Sequence, residues 1–335
     1  MRYLVVSLFL LLSIGVFAAT LEERAERGDG EALYELAIKY ELGQEYTRNP
    51  QRTIELCTRA AERGNVKAKF YLGYCYYHGH LVPKNIQTAA QWYERAAQRG
   101  EVQAQLALGI IYDQGELGER NLPRAIFWYN QAAEQGDAKA QLYLGYLYRN
   151  GEGVPRDFNK AFEFFGKAAE QGLAEAQFFY GNAFQKGEGT RRDLVKAAEW
   201  FQKSAQQGYA PAQTYIGLAY YHGEGVRQDH RRAVEWLQRA ARQNDASAMF
   251  NLGVCYDAGE GVRQDYNQAA RHFLESANRG IVQAQFYLGY YYYFGKGVPR
   301  DYRKSAQWIQ RARAQGDRNA IKFWRQYNLE QYLSN

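Results

Sequence analysis

The sequence predicts an all-α protein, a solenoid of helical hairpins stacked side by side. Three observations carry this. Eight consecutive blocks of 36 residues run from Asp29 to Gly316 without insertion or deletion. Each block carries two stripes of apolar residues at helical spacing, and the same punctuating residues part them. A period in this range marks stacked supersecondary units rather than one globular core. Each unit buries its apolar face only against its neighbours, so the product is a long, curved surface suited to binding.

The blocks begin at Asp29, Asn65, Glu101, Asp137, Leu173, Tyr209, Asp245 and Ile281. Position 4 is alanine in every block, from Ala32 and Ala68 to Ala284. Position 8 is a large apolar residue, such as Leu36, Tyr180 or Ile216, and position 12 is aromatic throughout, such as Tyr40, Phe184 or Tyr292. The spacing 4, 8, 12 is one stripe of an α-helix. Position 9 is glycine in seven of the eight blocks, from Gly73 to Gly289. A helix interior resists glycine by about 1 kcal/mol against alanine. Its recurrence predicts a close backbone crossing by the partner helix, where a Cβ would push the pair apart.

Position 15 is glycine in all eight blocks, from Gly43 to Gly295, where a left-handed C-terminal cap would sit. A loop such as Gly151–Arg156 follows, and position 21 is always Asp or Asn, suited to cap the second helix. In that helix the expected inner stripe is Ala at 25, an aromatic near 28, and Ala or Ser at 32 and 33. Trp92, Trp128, Trp200, Trp236 and Trp308 all fall at position 28.

With these columns in place the pattern A-x-x-x-L-G-x-x-Y-x-x-G-x-G-V-x-x-D-x-x-K-A-x-x-W-x-x-x-A-A-x-x-G resembles the Sel-1-like repeat, a relative of the tetratricopeptide repeat. The resemblance covers residues 29–316. It implies a right-handed α-solenoid superhelix of eight helix–turn–helix repeats. Two blocks depart from the pattern. The first has Ala37 for glycine and Gln44-Glu45-Tyr46 as its loop, and the third has Leu117-Gly118 for Gly-Val. Residues 19–28 resemble the last turns of a second helix and form an N-terminal cap. Residues 317–335 begin a ninth unit, with Trp324 and Arg325 where Leu and Gly belong, and read as a C-terminal capping helix.

Residues 1–18 read as a signal peptide. Arg2 forms a short positive region, Leu4–Phe17 an apolar core, and cleavage is expected before Ala19. The apolar stretch is short against the about 20 residues of a membrane span. No cysteine lies near the cleavage site, no Asn-x-Ser/Thr acceptor occurs, and the chain ends in Tyr-Leu-Ser-Asn, which is no retention signal. Together these point to a bacterial exported protein, periplasmic or secreted, soluble once the signal is removed.

The chain has three cysteines. Cys75 and Cys255 occupy position 11 and read as small buried apolar side chains. Cys57 lies late in the second helix of the first block, within reach of Cys75, and the compartment would permit a Cys57–Cys75 disulfide as the alternative. The cysteine-rich branch of the resembled family carries a bridge in nearly every unit; this chain lacks that framework.

The formal charge is +6. Positions 19 and 20 contribute at least one cation per block: Arg48, Lys84, Arg120, Arg156, Arg191, Arg192, Arg227, Arg263 and Arg300. Stacking aligns these along one loop edge. The plain reading is a solvated edge; the sharper one is long-range steering of an acidic protein or an envelope polymer. Export argues against a nucleic-acid partner.

No signature of catalysis is found: no His-Glu-x-x-His, no Gly-x-Ser-x-Gly, no phosphate loop. Cys75, His78 and His80 are close in sequence, but Cys75 falls on the buried side and His80 in the loop, so no metal site is expected. The Glu residues that recur at position 16 read as a repeat feature rather than an acid–base pair. No cofactor is called for, and the chain reads as a non-enzyme.

Positions 3, 6, 10, 13 and 14 of the first helix remain for the other face. In tetratricopeptide-like solenoids the equivalent positions line the concave groove, and the resemblance implies the same here. The chain holds 29 tyrosines, and tyrosine with arginine dominates interface hot spots. The expected partner-binding residues are Phe70, Tyr74, Tyr77, Tyr146, Arg149, Tyr221, Phe286, Tyr290 and Tyr293, gripping an extended or helical segment of a protein. The plain alternative, weighed for position 13 as well, is that the side chains at positions 6 and 10 pack between adjacent first helices. The resemblance implies a non-catalytic adaptor or scaffold of the envelope or secreted space, with a host-interaction role among the options. The alternative is a binder or weak hydrolase of peptidoglycan fragments or β-lactams, like the cysteine-rich relatives.

Overall fold

The computed structural model describes residues 19–333, so the expected signal peptide over 1–18 lies outside them. Among the described residues there are 18 α-helices, one 3-10 turn and no strand. They fall into two compact units, the first ending at Gln135 and the second starting at Gly136.

In the first unit a short helix α1 (Leu21–Glu26) precedes three hairpins. These are α2–α3 (Gly30–Leu42, Pro50–Glu62), α4–α5 (Val66–His78, Ile86–Ala97) and α6–α7 (Val102–Gln114, Leu122–Glu134). The second unit holds five: α8–α9 (Ala138–Asn150, Phe158–Glu170), α10–α11 (Ala174–Lys186, Leu194–Gln206), α12–α13 (Ala210–His222, His230–Arg242), α14–α15 (Ala246–Ala258, Tyr266–Asn278) and α16–α17 (Val282–Phe294, Tyr302–Ala314). A single helix α18 (Arg318–Gln326) and the 3-10 turn Leu329–Tyr332 follow. Within each unit the helices pack as an α-solenoid, each against the helix before and after it.

The punctuation works as the sequence suggests. All eight position-15 glycines end their helices in the left-handed region, with φ between 69° and 76°. Every Asp or Asn at position 21, from Asn49 to Asp301, accepts a first-turn backbone N–H of the second helix. The side chain at position 20 lies against the cap glycine. It donates to the position-13 carbonyl from Arg120 (2.9 Å), Arg192 (3.1 Å), Gln228 (2.9 Å) and Gln264 (2.7 Å). Arginine and glutamine serve this bond equally, so what the fold uses here is the hydrogen bond, not the charge. All nine cations of the loop edge are exposed.

The inner stripe of the second helix differs from expectation by one residue. Tyr93, Tyr129, Phe165, Phe201, Leu237, Phe273 and Ile309, at position 29, are the fully buried side chains. Most of the position-28 residues are half-buried, and four tryptophans among them lie under a cation one turn on: Arg95 over Trp92 (4.7 Å), Lys203 over Trp200 (3.9 Å), Arg239 over Trp236 (4.4 Å) and Arg311 over Trp308 (4.4 Å). The shift explains the glycine at position 9. A Cβ on Gly73, Gly145 or Gly253 would stand 2.5 Å from the ring of Tyr93, Phe165 or Phe273 in the same hairpin. The close approach is therefore to a side chain rather than to the partner backbone. The first block, with Ala37 in place of glycine, has Cys57 at position 29.

The close backbone approach sits instead at position 17. A Cβ on Gly189, Gly225, Gly261 or Gly297 would fall 2.0–2.1 Å from the position-22 carbonyl oxygen of the preceding repeat. Those loops rest directly on the start of the previous second helix.

A glutamine clasp, absent from the sequence reading, ties repeats together. Gln105, Gln177, Gln213 and Gln285, buried at position 5, donate to the position-33 carbonyl of the preceding repeat at 3.2–3.4 Å. Each accepts in turn from the position-35 glutamine of its own repeat: Gln135, Gln207, Gln243 and Gln315, at 2.8–2.9 Å. Where position 5 is Leu33, Lys69 or Met249, position 35 is Arg63, Arg99 or Arg279.

The ends reuse the repeat junction. The backbone N–H of Asp29 bonds the carbonyl of Arg24 (3.0 Å), and that of Asp317 the carbonyl of Ala312 (3.1 Å), as Asn65 bonds Ala60 between repeats (3.0 Å). Leu21 and Ala25 of α1 join the core under Leu33. At the other end Trp324 and Phe323 of α18 are buried, Leu329 folds in beneath them, and Arg325 is exposed. No helix among the described residues is long and apolar enough to cross a membrane.

Candidate functional site

The first helices of a unit lie beside one another, and their outward stripe forms a face. Helical geometry puts positions 3, 7, 10 and 14 on one line, spaced i, i+4, i+7, i+11. Position 6 lies off that line. Leu106, Leu142, Phe178 and Thr214 at position 6 are buried, and Phe70 and Phe286 are half-buried. Phe70 packs on Tyr93, with ring centroids 5.7 Å apart.

Position 13 is occupied by contacts between repeats, reaching position 16 of the next one. Glu41 meets His80 Nε2 at 2.7 Å, and Tyr77 Oη donates to Glu116 at 2.7 Å. In the second unit Arg149 Nε donates to Glu188 (3.1 Å), Tyr221 to Glu260, and Lys296 to Asp257 (2.5 Å). Glu116, Glu188 and Glu260, three of the recurring position-16 carboxylates, find their partners in this way. Tyr77, Arg149 and Tyr221 thus join repeats. Burial, and then the Glu116 carboxylate, push the Tyr77 hydroxyl up to about 12. Burial and then the Glu260 carboxylate raise Tyr221 as well.

Tyr146, at position 10, donates to Glu175 (2.6 Å) and packs edge-on against Phe179 (4.8 Å). Arg149 lies over the same Phe179 ring (5.5 Å). The C-terminal trio is partly covered by α18. Phe323 contacts Phe286, Tyr290 and Tyr293 at 5.4–6.1 Å, and Tyr327 lies 4.6 Å from Tyr293. That surface docks the capping helix.

One patch stays open. In the first unit Tyr74 is 41 % exposed, flanked by Tyr71 (6.4 Å), His78 (4.4 Å) and His80 (6.2 Å). Tyr71 donates to Glu41, whose other oxygen holds His80. Tyr34 meets Tyr71 edge-on at 6.4 Å. Bonded neighbours thus hold an aromatic and imidazole surface around one accessible tyrosine. Position 7 was missing from the sequence reading, although Tyr71, Tyr143, Phe179, Tyr215 and Tyr287 all occupy it. The signal was the period itself, since 7 lies between 3 and 10 on the stripe.

Cys57, Cys75 and Cys255 are free, buried thiols, so the Cys57–Cys75 bridge is not formed. Burial raises all three, Cys75 to about 11 and Cys255 to about 12, which withholds the thiolate that oxidation needs. No group of three or more His, Cys, Asp or Glu side chains is arranged to hold a metal ion among the described residues.

Comparison with known proteins agrees with this geometry. The Sel1 repeat family matches at residues 30–65, 66–101, 102–137, 138–173, 174–209, 210–245, 246–281 and 282–317, one residue later than the blocks read from the sequence. The chain is similar to a protective antigen of uropathogenic Escherichia coli strains that displays an SLR fold. The two are 33 % identical with a TM-score of 0.81, over 90 % of this chain and 64 % of that one. This chain therefore spans less than two thirds of the antigen's length. It is also similar to a Sel1 repeat protein from Oxalobacter formigenes, 34 % identical with a TM-score of 0.68, over 92 % of this chain and 89 % of that one. A search of the curated proteins gave no match. Sel1 repeats mediate protein–protein interaction and generally act as non-catalytic scaffolds. With eight matched repeats and the hairpin architecture they specify, the chain belongs to the Sel1 repeat family.

Proposed function

We propose that the protein is an exported bacterial adaptor that grips a segment of a partner protein on the first-helix stripe of its N-terminal unit. The observation that carries this is Tyr74, an accessible tyrosine held among Tyr71, His78 and His80 rather than sunk into the core. Interfaces concentrate their energy in such rigid aromatic anchors. The other expected tyrosines and Arg149 hold repeats or the cap together. Export rests on the signal-like segment 1–18, and a host-facing role is in keeping with the similar E. coli chain being a protective antigen.

The test places a photo-crosslinking amino acid at Tyr74 and, as control, at Val195, an exposed site on a second helix. Irradiation in the native bacterium should give a discrete adduct from position 74 that Tyr71→Ala weakens. Equal adducts from both positions, or none from 74, would refute the reading. Fractionation of the same cells shows whether the chain leaves the cytoplasm.

A further inference from the structure

The formal charge is not spread along the chain. Residues 300–335 hold eight lysines and arginines against three acidic residues, a formal +5 of the total +6. Residues 19–49 hold eight acidic residues against four basic ones, a formal −4. The 250 residues between them hold 29 basic and 25 acidic residues, a formal +4 spread over about seven times the length. Opposite charge has collected at the two ends of the repeat array.

The placement of these groups matters more than their number. On α18 the apolar side buries Ala320, Phe323 and Trp324. Arg318, Lys322 and Arg325, at i, i+4 and i+7, form one stripe on the other side, and all three are exposed. No ion pair engages any of them among the described residues. On α1 the apolar side buries Ala25, and Glu22, Glu23 and Glu26 are exposed. Arg24 is bound to Asp29 at 2.6 Å, Glu22 accepts from Tyr46 and Glu23 from the Thr20 backbone N–H, and Arg27 beside Glu26 is exposed. The two helices are also complementary in kind. Helix α18 holds the place of a first helix, followed among the described residues by the 3-10 turn, and α1 meets α2 through the bond that joins a second helix to the next repeat.

We propose that copies of this chain associate head to tail, α18 of one against α1 of the next, with the Arg318–Lys322–Arg325 stripe facing Glu22, Glu23 and Glu26. A heterologous contact of this kind pairs two different faces, so it builds open stacks, or closed rings where the rotation returns on itself, rather than two-fold dimers. The proposal uses none of the residues around Tyr74 and stands or falls apart from the adaptor reading. Its strength depends on salt, because exposed charges act across roughly 20 Å at about 20 mM salt and under 5 Å at about 500 mM.

Sedimentation velocity on the full chain, purified as an exporting bacterial host processes it, tests the idea. The weight-average mass should rise with protein concentration at low salt and fall to that of one chain at high salt. Arg318→Glu/Lys322→Glu/Arg325→Glu and Glu22→Arg/Glu26→Arg should each abolish self-association, weakening it by more than about tenfold, with unchanged helical circular dichroism. A mixture of the two variants should associate again, since one is then acidic and the other basic at both ends. A wild-type chain that stays single at low salt, association that survives either reversal, or a mixture that does not associate would overturn the proposal. So would a single chain that instead binds phosphatidylglycerol vesicles through the α18 cations, which would assign the stripe to a membrane.

Discussion

Replacing Gly145 by alanine asks what sets the distance between the two helices of a repeat. Alanine improves a helix interior over glycine by about 1 kcal/mol. Against that, the new Cβ would stand 2.5 Å and 2.6 Å from two ring carbons of Phe165, which is 2 % exposed and packed between Tyr146 and Phe179. The ring has to retreat by about 1 Å into a filled core, and such overpacking costs about 1–3 kcal/mol. The net expectation is a loss of about 1 kcal/mol. In a Phe165→Cys background, which copies the Ala37 and Cys57 pairing of the first repeat, the obstacle is gone. There Gly145→Ala should stabilise by about 1 kcal/mol, so the coupling between the two sites is about 2 kcal/mol. Urea denaturation of the four chains of the cycle, followed by circular dichroism, supplies the numbers. A backbone contact would cost the same in both backgrounds. An alanine that destabilises the parent and the Phe165→Cys chain equally, or one that stabilises both, would refute the argument.

Two further outcomes follow from other contacts. Gln177→Leu strips the Ala169 carbonyl of its side-chain donor and leaves Gln207 with the Gly172 carbonyl alone, and should cost about 1–2 kcal/mol. Adding Gln207→Arg, as in the repeat that pairs Leu33 with Arg63, should recover part of the loss in the same denaturation assay; no recovery would reduce the correlated residues to coincidence. His272 stacks on Tyr256 at 5.5 Å with its Nδ1 unbonded, and burial lowers its pKa from 6.5. The unfolded chain therefore takes up that proton first as pH falls, so the stability His272 supports is complete above about pH 6.5 and declines below it. Thermal melts should show a smaller fall in Tm between pH 7.5 and 5.5 for His272→Phe than for the parent; parallel curves would contradict the assignment.

The repeat was legible because its marks are backbone chemistry. Gly43 to Gly295 adopt the left-handed cap, and Asn49 to Asp301 cap the second helix, as residue type alone implies. Packing across the hairpin was less so. Position 28 carries the tryptophans and drew the inner stripe to itself, yet indole rings also lie well on a half-covered surface beneath Arg239 or Lys203. Which of two adjacent aromatics faces inward depends on how the helix is rolled, a property that no single column records. The candidate site suffered likewise. Tyr77 and Tyr221 are tyrosines on the correct helix, but their hydroxyls find Glu116 and Glu260 in the following repeat, 39 residues away. Tyr74 is set apart from them by exposure, a quantity that only the assembled neighbours define.

The joints between position 13 and position 16 are keyed, and this bears on how such a chain can change length. An in-frame loss of residues 65–100 would bring Glu41 opposite Glu116, two carboxylates where a carboxylate and an imidazole now meet. Loss of residues 173–208 would bring Arg149 opposite Glu224, as good a match as the Glu188 it gives up. Recombination between such modules therefore has permitted and forbidden breakpoints, and this chain would lose residues 173–208 more readily than residues 65–100.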